Sequence, residues 1–166
     1  MKDLRETASL HEMLGEILAQ VDRGVRAVRG AMIVNGCVMS ARGTSVEEVE
    51  EWRASARAQD YQRDKCEPAD RVFPIRVPLV PSSDKEEPIG YLLVGPRPDN
   101  SIPSHAEQKA IADVSEDIAR GIRTVIKREV RETEVAELIA ENCRRIEALE
   151  AMLGATATPK RAPRTA

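Results

Sequence analysis

The chain has 166 residues, a net charge of −3, and one Trp, two Tyr and one Phe as its only aromatic side chains. Acidic and basic residues are interspersed, so the sequence predicts no strong field for a polyanion, and the few aromatics offer no stacking platform for bases. We therefore expect no nucleic-acid partner, and a single aliphatic core with extensions.

The cysteines indicate the redox setting of the chain. Cys37, Cys66 and Cys143 are odd in number and far apart, without the CxxC or Cys–His spacing of a disulfide framework or a zinc site. We expect no metal and a reducing, cytoplasmic location. No apolar run is long enough to cross a bilayer, and the N-terminus lacks a secretion signal. It is left open whether the chain is the cytoplasmic part of a larger membrane receptor.

The first predicted elements are a helix, a hairpin and a second helix. Apolar residues recur at helical spacing over residues 3–22, and Gly24 predicts the end of that helix. Asn35-Gly36 separates two short apolar runs, which is typical of a hairpin with a type I′ turn. Residues 44–59 predict a short helix that begins with a capping box of Thr44 and Glu47.

Two strands follow. Over residues 72–80 apolar residues alternate with Pro74, Arg76 and Pro78, and because prolines remove ladder donors this strand is predicted at a sheet edge. Residues 89–95 are apolar on both faces, which predicts a strand in the middle of the sheet.

A long helix is predicted from Ser104, where a capping box with Glu107 follows Pro103, to Gly154. Its first half repeats apolar residues in a heptad pattern, which predicts a face packed on the domain. The residues of that face are Ile111, Val114, Ile118, Ile122 and Val125.

The apolar stripe nearly vanishes over residues 127–134, where Arg128 and Glu132 occupy the seam. We interpret this stretch as a junction, after which the helix pairs with a second copy as a coiled coil. The alternative is a solvated helix that folds back onto its own domain. The predicted dimerisation residues are Val135, Ile139, Asn142, Ile146, Leu149 and Leu153, with Asn142 as a polar residue that restricts the register.

The stretch "VFPIRVPLV" followed by "PIGYLLVGPRPDNSIPSHAEQKAIADVSEDIARGIRTV" resembles the last half of a GAF domain, over about residues 72–126. The resemblance implies an α+β fold in which an antiparallel sheet of about four to six strands packs between helices. It also implies a pocket on one face of the sheet and a sensor role in bacterial signalling. We predict a GAF-like domain over 1–126, a coiled-coil helix over 127–154 and a disordered tail over 155–166.

A candidate ligand site would lie between the sheet and the 44–70 segment, with an unidentified small molecule as ligand. The alternative is that its residues are ordinary core, with Arg76 solvated. No Cys-His pair follows Cys66, so no tethered bilin is expected, and the few aromatics and the lack of a well-placed histidine argue against haem. No cofactor is predicted. The candidate residues are Met32, Val34, Trp52, Cys66, Phe73, Ile75, Arg76 and Tyr91.

No catalytic motif is present: the sequence lacks GxSxG, a P-loop, a dinucleotide fingerprint and HExxH. The sequence therefore predicts a non-enzymatic sensory domain that passes ligand or partner binding to a homodimeric helix. The alternative is a degenerate fold of the same type that binds no small molecule and serves to dimerise or to dock a partner protein.

Overall fold

The computed structural model describes residues 9–63, 65–82 and 87–156. The chain divides into two compact units, Met1–Ile126 and Lys127–Ala166. Residues 3–8 of the predicted first helix, part of the segment between the two strands predicted over 72–80 and 89–95, and most of the predicted disordered tail lie outside the described residues.

The elements follow one another as three helices and four strands in the described part of the chain. They are α1 (Leu10–Val25), β1 (Gly30–Val34), β2 (Cys37–Arg42), α2 (Val46–Ala54), β3 (Ile75–Leu79), β4 (Gly90–Val94) and α3 (His105–Thr156). A short 3-10 turn, Ala56–Ala58, follows α2. Gly154 does not end α3, which continues for two further residues.

The strands form one antiparallel sheet in the order β2-β1-β4-β3. β4 is an interior strand and β3 lies at an edge, as their patterns predict. Pro78 fits that edge because it has no N–H to donate. The predicted α+β fold with an antiparallel sheet of about four to six strands is confirmed, and the described residues contain four strands.

The β1–β2 hairpin closes at Asn35-Gly36, as predicted. Both residues have positive φ, 50° and 78°, the backbone that a type I′ turn requires. The pairing of β1 with β2 shifts between Met32 and Ile33, so β2 carries an irregularity while the β1–β4 register stays regular.

The helix starts are fixed by capping boxes, one of which differs from its prediction. The capping box of α1 is formed by Ser9 and Glu12. For α2 the pair is Ser45 with Glu48, one residue later than predicted, because Thr44 instead donates its hydroxyl hydrogen to Glu48. The C-cap of α1 is Arg26, which adopts a left-handed φ of 58°, so the helix runs past the predicted end at Gly24.

α3 begins at the predicted capping box. The Ser104 N–H donates to Glu107 at 2.7 Å, and the Glu107 N–H donates to Ser104 Oγ at 3.3 Å. The Arg97 guanidinium also pairs with Glu107, which ties this helix start to the loop after β4. The Ser104 hydroxyl and the Ser104 N–H both donate to the Glu107 carboxylate, and these hydrogen bonds, together with the Arg97 charge, lower the pKa of Glu107 below its usual range.

α1 and the first half of α3 cover one face of the sheet. The residues of α3 that are buried there recur at intervals of three or four, as on a straight helix, and are Ile111, Ser115, Ala119 and Ile122. The predicted Val114 is 47% exposed, because on the helix it lies on one side of Ile111 while the buried Ser115 and Ala119 lie on the other. Ile118 and Val125 are partly buried against this core.

Candidate functional site

The predicted site residues lie on both faces of the sheet. Met32, Val34 and Ile75 point to the face covered by α1 and α3, where they join the larger aliphatic core. Trp52, Phe73 and Tyr91 belong to a second cluster, under α2. A single pocket lined by all of these side chains is therefore excluded by the alternation of the strands.

Arg76 lies at the centre of the second cluster as one half of a buried ion pair. Its guanidinium is 1% exposed, and Nη2 donates to Asp70 Oδ2 at 2.8 Å. The Trp52 indole N–H donates to the same oxygen at 2.7 Å, and the other oxygen of Asp70 accepts from the Val72 N–H at 2.8 Å. The expectation of a solvated Arg76 is therefore wrong.

Arg76 also binds the backbone around it. Its Nε donates to the Phe73 carbonyl at 2.7 Å and Nη2 donates to the Arg57 carbonyl at 3.0 Å. The outer edge of β3 is covered at this point, because the Arg76 N–H donates to the Lys65 carbonyl at 2.9 Å. One side chain thus fixes the end of the α2 segment to the start of β3, a structural role for a charge that is fully paired.

The four aromatic rings of the chain fill the space between α2 and the sheet. Trp52 meets Phe73 edge-on at 5.1 Å between ring centroids and Tyr61 at 5.5 Å, and Tyr61 meets Tyr91 at 5.2 Å. The Arg76 guanidinium lies 5.5 Å from the centre of the Trp52 ring. Burial, together with the Tyr61 hydroxyl, raises the pKa of Tyr91. These contacts pack the four rings and the Arg76 guanidinium against one another at the predicted position.

Two open clefts flank this filled centre. One, of about 610 Å³, lies at the turn end of the hairpin beside Tyr61, Tyr91 and Arg53. The other, of about 310 Å³, lies beside Trp52, Arg29 and Glu48. Both clefts are open to solvent, and in the smaller one the hydroxyls of Thr44 and Ser55 are already bonded, to Glu48 and to the Trp52 carbonyl.

A larger groove of about 670 Å³ runs between the edge strand β3 and the first turns of α3. Its floor is apolar, formed by Ile75, Val77 and Pro78, and its rim carries Cys66 and Lys109. Burial is the main factor that raises the pKa of the Cys66 thiol, which keeps it protonated and a weak nucleophile. The groove suits an amphipathic guest, and its lining also includes His105 and Glu116 from α3.

Asp22 is a buried acid that the sequence pattern does not reveal. It lies on the inner face of α1, 4% exposed, and its carboxylate packs against Gly30, where a Cβ would come within 2.5 Å of Oδ1. Among the described residues neither of its oxygens accepts a hydrogen bond, and Arg42 Nε is 3.8 Å away. Burial, against the attraction of Arg42, raises the pKa of Asp22 from 3.8 to about 6.

Residues 9–63, 65–82 and 87–156 contain no cluster of three or more His, Cys, Asp or Glu side chains that could hold a metal ion. Within the same ranges no helix is long and apolar enough to cross a membrane.

The second half of α3 displays an uncovered apolar stripe. Every residue from Val130 to Ala140 is exposed, and Ile146 is 55% exposed. All six predicted dimerisation residues lie on exposed helix, spaced alternately by four and three positions. Those residues are Val135, Ile139, Asn142, Ile146, Leu149 and Leu153.

A comparison with solved structures finds a likeness to the GAF domain of a phosphoenolpyruvate-protein phosphotransferase from Acinetobacter. The TM-score is 0.55 at 13% sequence identity, and the match covers 76% of this chain and 89% of that chain. No protein-family model and no curated protein matches the sequence. At this identity the likeness shows the fold alone: the chain has a GAF-like fold.

Proposed function

We propose that the chain is a non-catalytic regulatory module of bacterial signal transduction, acting in the cytoplasm, which works by pairing with a second copy through the second half of α3. The GAF-like fold supports a regulatory role at the level of the fold. The observation that carries the pairing is the uncovered stripe from Val135 to Leu153, since an apolar seam repeated every 3.5 residues on an exposed helix is the pattern of a coiled coil.

The filled space under α2 favours a partner or a second copy over a small molecule as the input at that face. A ligand there would have to displace the ring contacts of Trp52 and Tyr61 and leave the Arg76–Asp70 pair without part of its cover. This favours the dimerisation and docking function over a sensor with its site at this face.

Pairing is tested by sedimentation of the full chain with and without Ile146→Glu. Losing the burial of one Ile per copy removes about 2 kcal/mol per copy, or about 4 kcal/mol per dimer, which is roughly a thousandfold in Kd. Ala148→Glu adds the same charge outside the seam and is expected to leave Kd within a few-fold. A chain that sediments as a monomer at about 0.1 mM, where a Kd of 1 μM would give mostly dimer, refutes the proposal.

A second candidate is a ligand sensor that uses the groove beside β3. The groove favours it because its floor and the first turns of α3 meet there, so a guest would contact α3 directly. Since α3 contributes to both units, a change in its packing could alter the pairing of its second half, by about 1–3 kcal/mol at most.

The sensor is tested by thermal unfolding with a panel of nucleotides, amino acids and short carboxylic acids. A ligand at about a hundred times its Kd adds about 2.7 kcal/mol, which raises Tm by about 5–10 °C. Ala112→Trp fills the groove and should abolish the shift, whereas Ala110→Trp, at an exposed site outside the groove lining, should not. No shift with any member of the panel would count against the sensor.

A further inference from the structure

We infer that the two copies pair in parallel and in register, so that each seam residue meets its own counterpart. The inference rests on the proposed pairing and specifies its geometry. With Ile139 and Ile146 at position a and Asn142 at position d, Arg145 takes position g, while Cys143 and Glu150 take position e, and all of them lie on the exposed helix. Positions e and g flank the seam and determine partner orientation.

Asn142 favours the parallel arrangement. In a parallel, in-register pair it faces the partner's Asn142, and the two amides can donate to and accept from each other. One antiparallel alignment places every seam residue opposite another seam residue. In that alignment Val135 faces the partner's Leu153, and Ile139 faces the partner's Leu149. The same alignment puts Asn142 against the partner's Ile146, where the buried amide has no hydrogen-bond partner, so this alignment is disfavoured.

The charges at positions e and g also favour the parallel arrangement. In a parallel pair a g residue meets the e residue five positions later on the partner, which puts Arg145 beside the partner's Glu150. In the antiparallel pair g meets g, and Arg145 would face the partner's Arg145. Within one chain Arg145 Nε lies 3.2 Å from Glu141, with the two side chains 72% and 46% exposed, so this weak pair can be exchanged on association.

The parallel and antiparallel arrangements differ in whether Cys143 can form a disulfide with the partner's Cys143. Two e positions lie on opposite edges of a parallel pair, too far apart for a disulfide, which needs Cα atoms within about 7 Å. In the antiparallel alignment e meets e, and Cys143 would face the partner's Cys143. Leu149 behaves in the opposite way, since as a d residue it meets its own counterpart only in the parallel register.

The experiment compares oxidative cross-linking in full chains that carry one cysteine each, with Cys37→Ser and Cys66→Ser in all. One chain keeps Cys143; the others carry Cys143→Ser with either Leu149→Cys or Glu147→Cys. Glu147 lies at position b, away from the seam, so Glu147→Cys measures collisional cross-linking. We expect the Leu149→Cys chain to cross-link at least tenfold faster than the Glu147→Cys chain, and the Cys143 chain to match the Glu147→Cys chain.

Fast cross-linking of the Cys143 chain together with slow cross-linking of the Leu149→Cys chain would show an antiparallel pair. Fast cross-linking of both would show mixed orientations, and slow cross-linking of both in a chain that sediments as a dimer would show a different seam. Each of these results overturns the inference and leaves the proposed pairing intact. A monomer in sedimentation overturns both.

A charge exchange gives a second measurement without cysteines. Arg145→Glu would face the partner's Glu150 in the parallel pair and should raise Kd about fivefold, from two exposed pairs per dimer. Adding Glu150→Arg restores opposite charges and should return Kd to the wild-type value. An unchanged Kd in the single variant, or no recovery in the double variant, contradicts the parallel register.

Discussion

Asp22→Asn should make the protein less sensitive to rising pH. The native environment raises the pKa of this carboxyl to about 6, against 3.8 in the ordinary state. The folded chain therefore holds its proton more tightly than the unfolded chain between these values. Because the unfolded state binds fewer protons there, the contribution of this carboxyl to native stability is fully present below pH 3.8 and is lost as pH rises through about 6.

The size of the effect follows from the two pKa values. The difference of about two units corresponds to about 3 kcal/mol at full ionisation, of which about 2 kcal/mol falls between roughly pH 4.5 and pH 8. The structure gives the cause: the carboxylate is buried beside Gly30, and Arg42 is too distant to form a hydrogen bond. Asparagine does not ionise, so burial at this position penalises no charged form. Asp22→Asn should therefore remove the pH dependence of stability that this carboxyl causes.

The assay is urea unfolding of wild type and Asp22→Asn at both pH values, with protein concentration fixed because association contributes to stability. The advantage of Asp22→Asn over wild type should grow by about 2 kcal/mol from roughly pH 4.5 to pH 8. Asp113→Asn, on an exposed position of α3, removes the same charge and should track wild type. A difference between Asp22→Asn and wild type that is constant with pH would refute the buried, unbonded carboxylate.

Three further predictions concern the core, the turn and the junction. Arg76→Met leaves a buried carboxylate unpaired and should lower the unfolding free energy by about 3–5 kcal/mol in urea, whereas Arg71→Met on the exposed surface should cost less than about 0.5; equal effects would contradict the buried pair. Gly36→Ala forces a side chain into positive φ and should cost about 1 kcal/mol in the same assay, and a neutral result would contradict the turn. Arg128→Leu with Glu132→Ile extends the seam and should lower Kd at least about tenfold by sedimentation, and an unchanged Kd would count against a weak junction there.

Local chemistry determined much of the fold that the sequence could predict. Asn35-Gly36 fixes the hairpin because the turn needs two positive φ values. The prolines of β3 restrict it to an edge, and the apolar run of β4 fits only an interior strand. The boundaries were less accessible: Thr44 and Ser45 are both good caps, and the position of Glu48 decides between them.

The site was harder to predict because its determinants are distant in sequence or hidden by uniform burial. β1 is buried along its whole length, so its pattern does not show which side chains face α2, and Met32 was placed on the wrong face. The burial of Arg76 depends on Asp70 in an irregular segment, which no periodicity reveals. Asp22 gave one usable signal, since it follows Leu18 by four residues on the apolar face of α1.

The exposed half of α3 links helix formation to pairing. Ion pairs such as Arg145–Glu141 contribute only about 0.3–0.5 kcal/mol each, whereas burying a layer of two Ile146 side chains contributes about 3–6 kcal/mol. In proteins most helical stability comes from the packing of an amphipathic face, so association and not local propensity should set the helix content of this segment. Far-UV circular dichroism should therefore fall on dilution through Kd, and more in Ile146→Glu than in Ala148→Glu. A helix signal that stays constant on dilution, in a chain that dimerises when concentrated, would show that the helix is stable without its partner.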